Sequence, residues 1–343
     1  MADNEIEKEQ IQPSSLDLRL GAVAYRVQAS FLPGADKSVV DILNDLTMHK
    51  MDLRSGAVLE KGCVYIVPLQ ERLSLPEDVS AISNPKSSTG RLDVFTRMIV
   101  DKATLFDAAP AGYEGPLYAE IVPCTFSILA RMGDRLSQVR LCRTRYVYSD
   151  AELEAIHKAT PLVGVDDETI HLDRGIGFSV DLAPRGSDII AYRARPHAPV
   201  IDLRKINHYD PNDFWEPIPS NKAHRLILSP GDFYILASRE AVAVPPDYAA
   251  EMVAYDTLVG EFRAHYAGFF DPGFGWASAG GQGSKAVLEV RSHDAPFLME
   301  HGQIVGRLMY EKLVGQPSEL YGATIKSNYQ KQQLKLGKQF KDW

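Results

Sequence analysis

An internal repeat constrains this chain of 343 residues more than any other feature of its sequence. The segment GCVYI (62–66) resembles GDFYI (231–235) at an offset of 169 residues (231 − 62). The same offset relates four further pairs in similar surroundings: Pro76 with Pro245, Asp78 with Asp247, Glu120 with Glu289, and Gly133 with Gly302. Near the N-terminus, SLDL (15–18) pairs with SVDL (179–182) at a shorter offset of 164. These matches predict a tandem duplication with a boundary near residues 160–172, and two domains spanning 1–170 and 171–343.

Short runs rich in β-branched and aromatic residues, bounded by Gly, Pro, Asp and Asn, indicate strands in both halves. The clearest runs are Val64–Pro68, Leu117–Val122, Tyr234–Ala237, Ala286–Val290 and Ile304–Leu308. Helical periodicity is confined to Ser38–Met48 and Asp150–Lys158. We therefore predict a mainly β protein, with an all-β barrel or sandwich in each half and a few short helices.

Composition and charge exclude several classes of protein. The net charge is −8 and 45% of the residues are hydrophobic, which is typical of a soluble globular protein and not of a nucleic-acid coat. No apolar run approaches the roughly 18 residues of a membrane span. The polar N-terminus (1–12) does not resemble a signal or transit peptide. The three cysteines lack metal-site spacing and are expected to be small buried residues. We expect a cytoplasmic protein without nucleic-acid or membrane partners.

The stretch KSSTGR (86–91) is the clearest candidate for an anion site, and it follows a strand-like run at 73–82. Adjacent hydroxyls, backbone N–H groups and two flanking cations suit a polyanion such as a nucleotide phosphate. A polar turn that caps the next element is the alternative for such a hexapeptide. The Lys- and Gln-rich tail, 326–343, is either a disordered end or a lid that becomes ordered.

Two glutamates lie inside apolar strands at the same position of the repeat, Glu120 and Glu289. A carboxylate in such a strand must be paired, face solvent, or sit in a pocket where burial raises its pKa toward a general acid/base value. Before Glu289 comes AGFFDPGF (267–274), a turn-rich segment typical of a hairpin. This segment either forms an ordinary β-turn or forms a hairpin whose backbone recognises a planar nucleobase.

Five segments in order resemble the dCTP deaminase family, which belongs to the trimeric dUTPase-like β-barrel superfamily. They are QPSSLDLRLG (12–21), KSSTGRL (86–92), AGFFDPGF (267–274), VLE (287–289), and YG (321–322) followed by SNYQKQ (327–332). The resemblance covers nearly the whole chain. Members of the family usually have one domain per chain, whereas this sequence looks like a fused pair.

The resemblance implies a zinc-independent reaction in which a glutamate-activated water attacks C4 of cytosine and ammonia leaves. It assigns the catalytic role to Glu289, assisted by Ser87 and Arg91. It also implies a set of substrate-binding residues: Lys86, Ser87 and Ser88 for phosphate, the backbone around Ala267 and Gly268 together with Asp271 for the base, and Tyr321 and Gln332 over the triphosphate. Asn328 stands where the family has a lysine, and Lys326 or Lys331 could substitute for that lysine. The triphosphate is expected to carry Mg²⁺.

The two halves have diverged in complementary ways. Half one keeps the serines and arginine of 86–91, but its hairpin reads PAGYEG (110–115) and lacks Asp-Pro. Half two keeps the hairpin, but YDT (255–257) replaces the serines, and its aspartate would repel a triphosphate. We therefore expect a composite site with Ser87, Ser88 and Arg91 from one barrel and Glu289 from another. Rings of identical halves would instead make Glu120 the catalytic carboxylate.

Other functions remain as alternatives. A zinc deaminase needs His-x-Glu and Pro-Cys-x-x-Cys segments, and neither occurs. A dUTP diphosphatase of the same superfamily would use an aspartate in the hairpin, for which Asp271 is the candidate. A bifunctional deaminase and diphosphatase, or a non-catalytic nucleotide-binding protein, are further possibilities. We expect a homo-oligomer with sites between barrels, with dTTP as a possible feedback inhibitor.

Overall fold

The structure is a computed structural model that describes residues 5–164, 170–184, 186–253, 268–276, 283–292, 294–322 and 333–343, and the backbone of 262–265. Within these residues the chain is mainly β, as predicted. No helix among them is long and apolar enough to span a membrane. The three cysteines, all in the described part, are thiols and are only partly buried, so the expectation of burial was wrong.

Half one forms two main sheets, part of a small third sheet, and two short helices. Its strands are β1 (Leu16–Arg19), β2 (Val23–Val27), β3 (Thr47–Asp52), β4 (Ala57–Leu59), β5 (Val64–Ser74), β6 (Ser80–Pro85), β7 (Val94–Val100), β8 (Ala108–Ala109), β9 (Glu114–Pro123), β10 (Ile128–Ala130) and β11 (Arg135–Cys142). The helices are α1 (Val39–Leu46) and α2 (Ser87–Gly90), and a 3₁₀ turn covers Lys8–Gln10. The larger sheet has the order β3-β2-β5-β9-β7, and the smaller one has the order β1-β11-β6-β8.

Half two repeats this arrangement after α3 (Asp150–Ala159). Its strands are β12 (Val163–Gly164), β13 (Ile176–Ser179), β14 (Ile189–Ala194), β15 (Ile201–Asp202), β16 (Trp215–Pro219), β17 (Arg225–Leu228), β18 (Phe233–Val242), β19 (Tyr248–Val253), β20 (Phe262–His265), β21 (Phe269–Phe270), β22 (Ser284–Ser292), β23 (Phe297–Glu300) and β24 (Ile304–Lys312), with a 3₁₀ turn at Pro211–Asp213. The sheet β16-β14-β18-β22-β20 matches the larger sheet of half one, and β13-β24-β19-β21 matches the smaller one.

Local sequence explains where the predicted elements begin and end. All five predicted strands and both predicted helices are present. The helices begin after Ser38 and Ser149, whose hydroxyls accept hydrogen bonds from the third helical N–H in capping boxes. The prediction of a single strand over 73–82 was wrong, because β5 ends at Ser74 and β6 begins at Ser80. Pro76 interrupts it in a turn closed by the Val79 N–H to the Pro76 carbonyl, because proline cannot donate to a ladder.

The strand ladders confirm the 169-residue repeat and correct its N-terminal end. Ile66 pairs with Glu120, and Ile235 pairs with Glu289 at the equivalent position. In the first strand, however, Leu16 pairs with Val139 and Ile176 with Leu308, so these strands are related by 160 residues (176 − 16) and not by 164. The offsets of 160 and 164 residues differ by four. Because four is even, either offset places the same side chains on the same face of the strand, so the alternation of apolar and polar residues cannot distinguish the two offsets.

The two halves share a hydrophobic core. Large side chains of half two, among them Phe214, Trp215 and Phe233, pack into the core of half one. The Trp215 ring lies edge-on to Phe126 of half one with centroids 5.3 Å apart. Strand β15 also pairs in parallel with β10 of half one. The halves are therefore joined by apolar packing and by a sheet, as a single folded unit would be.

The last residues of the chain are ordered against the shared core and against half two. Leu336 and Phe340 belong to the shared core, and Trp343 stacks on Tyr192 at a centroid distance of 5.1 Å. The carbonyl of Lys338 accepts a hydrogen bond of 2.9 Å from the Asn207 N–H. Of the two alternatives for the tail, a disordered end is wrong for 333–343. Residues 323–332 lie outside the described part.

A buried ion pair also crosses between the halves, and it gives a stability prediction. Arg291 of β22 donates to the Asp93 carboxylate and, at 2.9 Å, to the Thr125 hydroxyl of half one. The Asp93 side chain is 1% exposed. We expect Arg291→Met to lower the free energy of unfolding by about 3 kcal/mol, because the buried carboxylate loses its cation. Urea unfolding measures this change.

Arg193→Met is the matched control for this substitution. Arg193 pairs with Glu216 at 2.6 Å, but both side chains are about 40% exposed, and such pairs contribute less than about 1 kcal/mol. Equal destabilisation by the two substitutions would contradict the inference that Arg291 joins the halves.

Candidate active site

A cavity of about 860 Å³ opens between the two halves of the chain. Residues of 86–91 and Asp17 form its wall on half one. Half two contributes the hairpin around Asp271, the strand residue Glu289, and Tyr321. The last residues of the chain close a further side through Lys338 and Gln339. The volume lies within the 300–1,000 Å³ of typical small-molecule sites.

The cavity brings together most of the residues that the sequence analysis singled out. Those that line it are Lys86, Ser87, Ser88, Arg91, Gly268, Asp271, Glu289 and Tyr321. The remaining substrate-binding candidates, Ala267, Asn328 and Gln332, lie outside the described residues. Serines and arginine from half one therefore share one cavity, in one chain, with the glutamate of half two.

Glu120 lies elsewhere, although it occupies the same register position as Glu289. It is fully buried and does not line the cavity. Its Oε1 accepts hydrogen bonds of 2.6 and 3.1 Å from Arg97, the residue opposite it on β7. The Arg97 guanidinium in turn lies 3.4 Å from the centre of the Phe106 ring. This carboxylate is thus held in an ion pair with an arginine whose guanidinium lies against aromatic rings.

The segment 86–91 is fixed by short backbone contacts at the end of β6. The Lys86 N–H donates to the Leu136 carbonyl at 2.9 Å, and the Thr89 hydroxyl donates to the same carbonyl at 2.8 Å. The Lys86 ammonium pairs with the buried Asp17 carboxylate. Arg91 donates to the carbonyls of Lys335 and Leu336 in the C-terminal segment, at 3.1 and 3.4 Å. These contacts present the two serines to the cavity from a rigid turn.

Glu289 has the perturbed titration expected of a proton-transfer group. It lies in the middle of β22, between β18 and β20, and is 3% exposed. Burial raises the pKa of its carboxyl group to about 8, while the positive charge of Arg91 acts in the opposite direction and Asp93 adds to the increase. Such a group can both accept and return a proton near neutral pH.

The hairpin of half two is held against half one and against Tyr321. The Asp271 carboxylate accepts a hydrogen bond from the Ser14 hydroxyl and lies 3.8 Å from Arg140. Burial raises the pKa of Asp271, whereas Arg140 lowers it. Gly273 has a φ of +97°, and a Cβ there would lie 2.9 Å from the Tyr321 backbone, so the close approach requires glycine.

Several polar residues of the cavity escaped the sequence analysis. They are Asp17, Arg135, Gln138, Arg204 and Gln339, whereas Lys338 belongs to the Lys-rich tail, whose positive charge either keeps the tail solvated or attracts a triphosphate. Asp17 was visible in the motif at 12–21 but had no assigned role. The others lie in strands, a loop and the tail, and no local pattern distinguishes them from solvated polar residues. Only the packing of distant segments brings them to one cavity.

The fold and the cavity together define a duplicated, mainly β protein whose two halves contribute to one polar site. The chain belongs to the 2'-deoxycytidine 5'-triphosphate deaminase family. The family model of the N-terminal domain matches residues 1–145, and that of the C-terminal domain matches residues 149–340.

Similar proteins carry the same family name. A dCTP deaminase of Haloarcula marismortui is 32% identical over 132 residues, which are 38% of this chain and 65% of that protein. One of Halorubrum lacusprofundi is 30% identical over 133 residues, 38% of this chain and 63% of that protein. The matched region thus spans just under two thirds of these relatives. The crystal structure of 2'-deoxycytidine 5'-triphosphate deaminase from Agrobacterium tumefaciens is 55% identical, with a TM-score of 0.87, over 92% of this chain and 94% of that chain.

Proposed function

We propose that this protein hydrolyses dCTP to dUTP and ammonia, a step toward dUMP and dTTP. One observation carries the proposal: the buried carboxyl group of Glu289 shares a cavity with Ser87 and Arg91 of the other half. Family membership supports the same activity. The glutamate supplies proton transfer, and the hydroxyl and guanidinium groups supply donors to the reacting centre.

The reaction proceeds by addition and elimination at C4 of cytosine. Ionised Glu289 takes a proton from a water molecule as the water oxygen bonds to C4. The displaced C4–N3 electron pair is held on N3 until the carboxyl group returns the proton to the amino nitrogen. The C4–N3 double bond then re-forms as the bond between C4 and the amino nitrogen breaks, and ammonia leaves. Transfer of the remaining hydroxyl proton to N3 gives the uracil ring of dUTP. Arg91 favours the ionised form of Glu289 through its positive charge. Ser87 orients the water and the carboxylate from the opposite wall of the cavity.

Phosphate binding is assigned to Lys86, Ser87 and Ser88, with Tyr321 covering the triphosphate. The backbone around Gly268 and Asp271 would contact the base, as would Ala267, while Asn328 and Gln332 would act from the lid. Magnesium would enter with the triphosphate. Asp17 fits such an ion, because its buried Oδ1 accepts no hydrogen bond among the described residues and carboxylate oxygen suits Mg²⁺.

We also propose that each half is a dUTPase-like barrel and that the chain forms a cytoplasmic homo-oligomer, which dTTP could inhibit. The repeated pairs of sheets support the duplicated barrel. The predicted boundary at residue 170 separates the halves only approximately. Leu153 and Leu162 already pack in the core of half two, which supports a boundary nearer the 145–149 interval between the family models.

The products formed from dCTP test the proposed function. Purified protein with dCTP and Mg²⁺ is expected to release ammonia and dUTP in equal amounts, without pyrophosphate. Pyrophosphate and dUMP from dUTP would instead indicate the diphosphatase, and both sets of products would indicate a bifunctional enzyme. Tight binding of dCTP without any turnover would overturn the enzymatic proposal in favour of a nucleotide-binding protein.

A further inference from the structure

The C-terminal segment 333–343 forms part of the cavity wall and is anchored on both sides of Lys338. Arg91 donates to the carbonyls of Lys335 and Leu336 before it. After it, the Gln339 carbonyl accepts hydrogen bonds of 2.9 and 3.1 Å from the N–H groups of His208 and Tyr209. Leu336 and Phe340 are buried in the shared core. The backbone at Lys338 is therefore held firmly beside the cavity.

Lys338 differs from the other cations that line the cavity. Lys86 pairs with Asp17, Arg135 with Glu7, Arg204 with Asp134, and Lys8 with Glu319. Arg91 donates hydrogen bonds to the carbonyls of Lys335 and Leu336. Lys338 forms no salt bridge with any residue in the described part of the chain, although it lines the same cavity and is partly buried.

The electrostatic surroundings of Lys338 locate it at the end of the cavity near 86–91. Burial, and then the positive charge of Lys86, lower the pKa of the Lys338 ammonium group, while Asp17 acts in the opposite direction. A partly buried ammonium beside another cation is costly unless an anion approaches both. Next to it, Gln339 is 2% exposed, and its Oε1 has no hydrogen-bond partner among the described residues.

We infer that Lys338 is a triphosphate-binding residue, supplied to the phosphate end of the cavity by the anchored C-terminal segment. This inference rests on the proposed function. The described segment 333–343 holds this charge in position before substrate arrives.

Substitution of Lys338 tests the inference through binding and not through turnover alone. Lys338→Met is expected to raise the KM for dCTP about tenfold, as loss of one charge-assisted phosphate contact does, with kcat within about twofold. The inhibition constant of inorganic tripolyphosphate should rise by a similar factor. Lys338→Arg should restore both values to within about threefold of wild type, because the charge is retained.

Lys341→Met is the matched control, since Lys341 is exposed on the same segment and does not line the cavity. It should leave the KM and the tripolyphosphate inhibition unchanged. If wild type turns over dCTP and Lys338→Met has the same KM and tripolyphosphate inhibition, the inference is wrong and the proposed function stands. If wild type neither binds nor deaminates dCTP, the proposed function itself fails. A Lys338→Arg variant as impaired as Lys338→Met, at equal thermal stability, would also overturn the role of the charge.

Discussion

Replacing Glu289 with Gln is expected to lower kcat for dCTP deamination by about 10³-fold, within the range of general acid–base catalysis. Gln keeps the shape of the side chain but cannot take a proton from water. The substituted group is buried in the cavity, and in the proposed mechanism it carries the proton in both steps. Steady-state ammonia release measures the loss, and dCTP binding by calorimetry should change only a few fold.

Glu120→Gln is the control, because Glu120 has the same register position in the other half. It lies away from the cavity in its ion pair with Arg97, so kcat of the folded protein should change by less than about threefold. Full activity of Glu289→Gln together with an inactive Glu120→Gln would reverse the assignment of the catalytic carboxylate.

Wild type and Glu289→Gln are expected to differ in how their stability depends on pH. The folded-state pKa of Glu289, about 8, lies above its ordinary value of 4.5, so the folded protein binds the extra proton between these pH values. Stability should therefore fall as pH rises through this window, by up to about 1.4 kcal/mol per pH unit from this group. Glu289→Gln removes that contribution. The free energy of unfolding of Glu289→Gln, relative to that of wild type, should therefore increase as pH rises from 5 to 8.

Replacing Arg91 with Gln is expected to lower kcat by about 10²-fold, the effect of removing one preorganised donor from an active site. The loss should depend on pH in a defined direction. Arg91 holds the pKa of Glu289 down, so without its charge Glu289 ionises at a higher pH. The acidic limb of the kcat profile should therefore move to higher pH, and the rate deficit should shrink under alkaline conditions.

Arg97→Gln is the matched control for this shift. Arg97 is the arginine bound to Glu120, so its loss should leave the pH profile of dCTP deamination in place. An acidic limb that stays at the wild-type pH in Arg91→Gln would show that Arg91 does not act on the catalytic carboxyl group. Lys in place of Arg91 retains the charge and should keep the limb near its wild-type position.

Much of this architecture could be predicted from the spacing of apolar residues and from the Gly, Pro, Asp and Asn residues that bound the strands. The strands around Tyr65 and Tyr234, the capped helices, and the equivalence of Glu120 with Glu289 depend on local patterns, and each is present. The offset of the first strand could not be predicted. A shift of four residues preserves the alternation of faces, and only pairing with a strand more than a hundred residues away distinguishes the two registers.

The candidate site was predictable in its parts but not in its assembly. Complementary loss of motifs indicated that serines from one half meet the glutamate of the other. The choice between the two glutamates depends on Arg97, which lies 23 residues before Glu120 and meets it only through strand pairing. The contribution of Lys338 depends on how the tail packs against both halves. Such contacts between distant segments follow from tertiary packing, which local patterns do not encode.

One chain supplies both walls of the proposed site, with Arg91 and Glu289 in the same molecule. Co-expression of Glu289→Gln and Arg91→Gln chains, followed by purification of the mixed oligomers through two different tags, tests it directly. Every site within a chain then lacks one of the two residues, so we predict activity no higher than that of the two variants mixed after separate purification. Recovery of a substantial fraction of wild-type activity would show that sites form between chains, and would contradict the account.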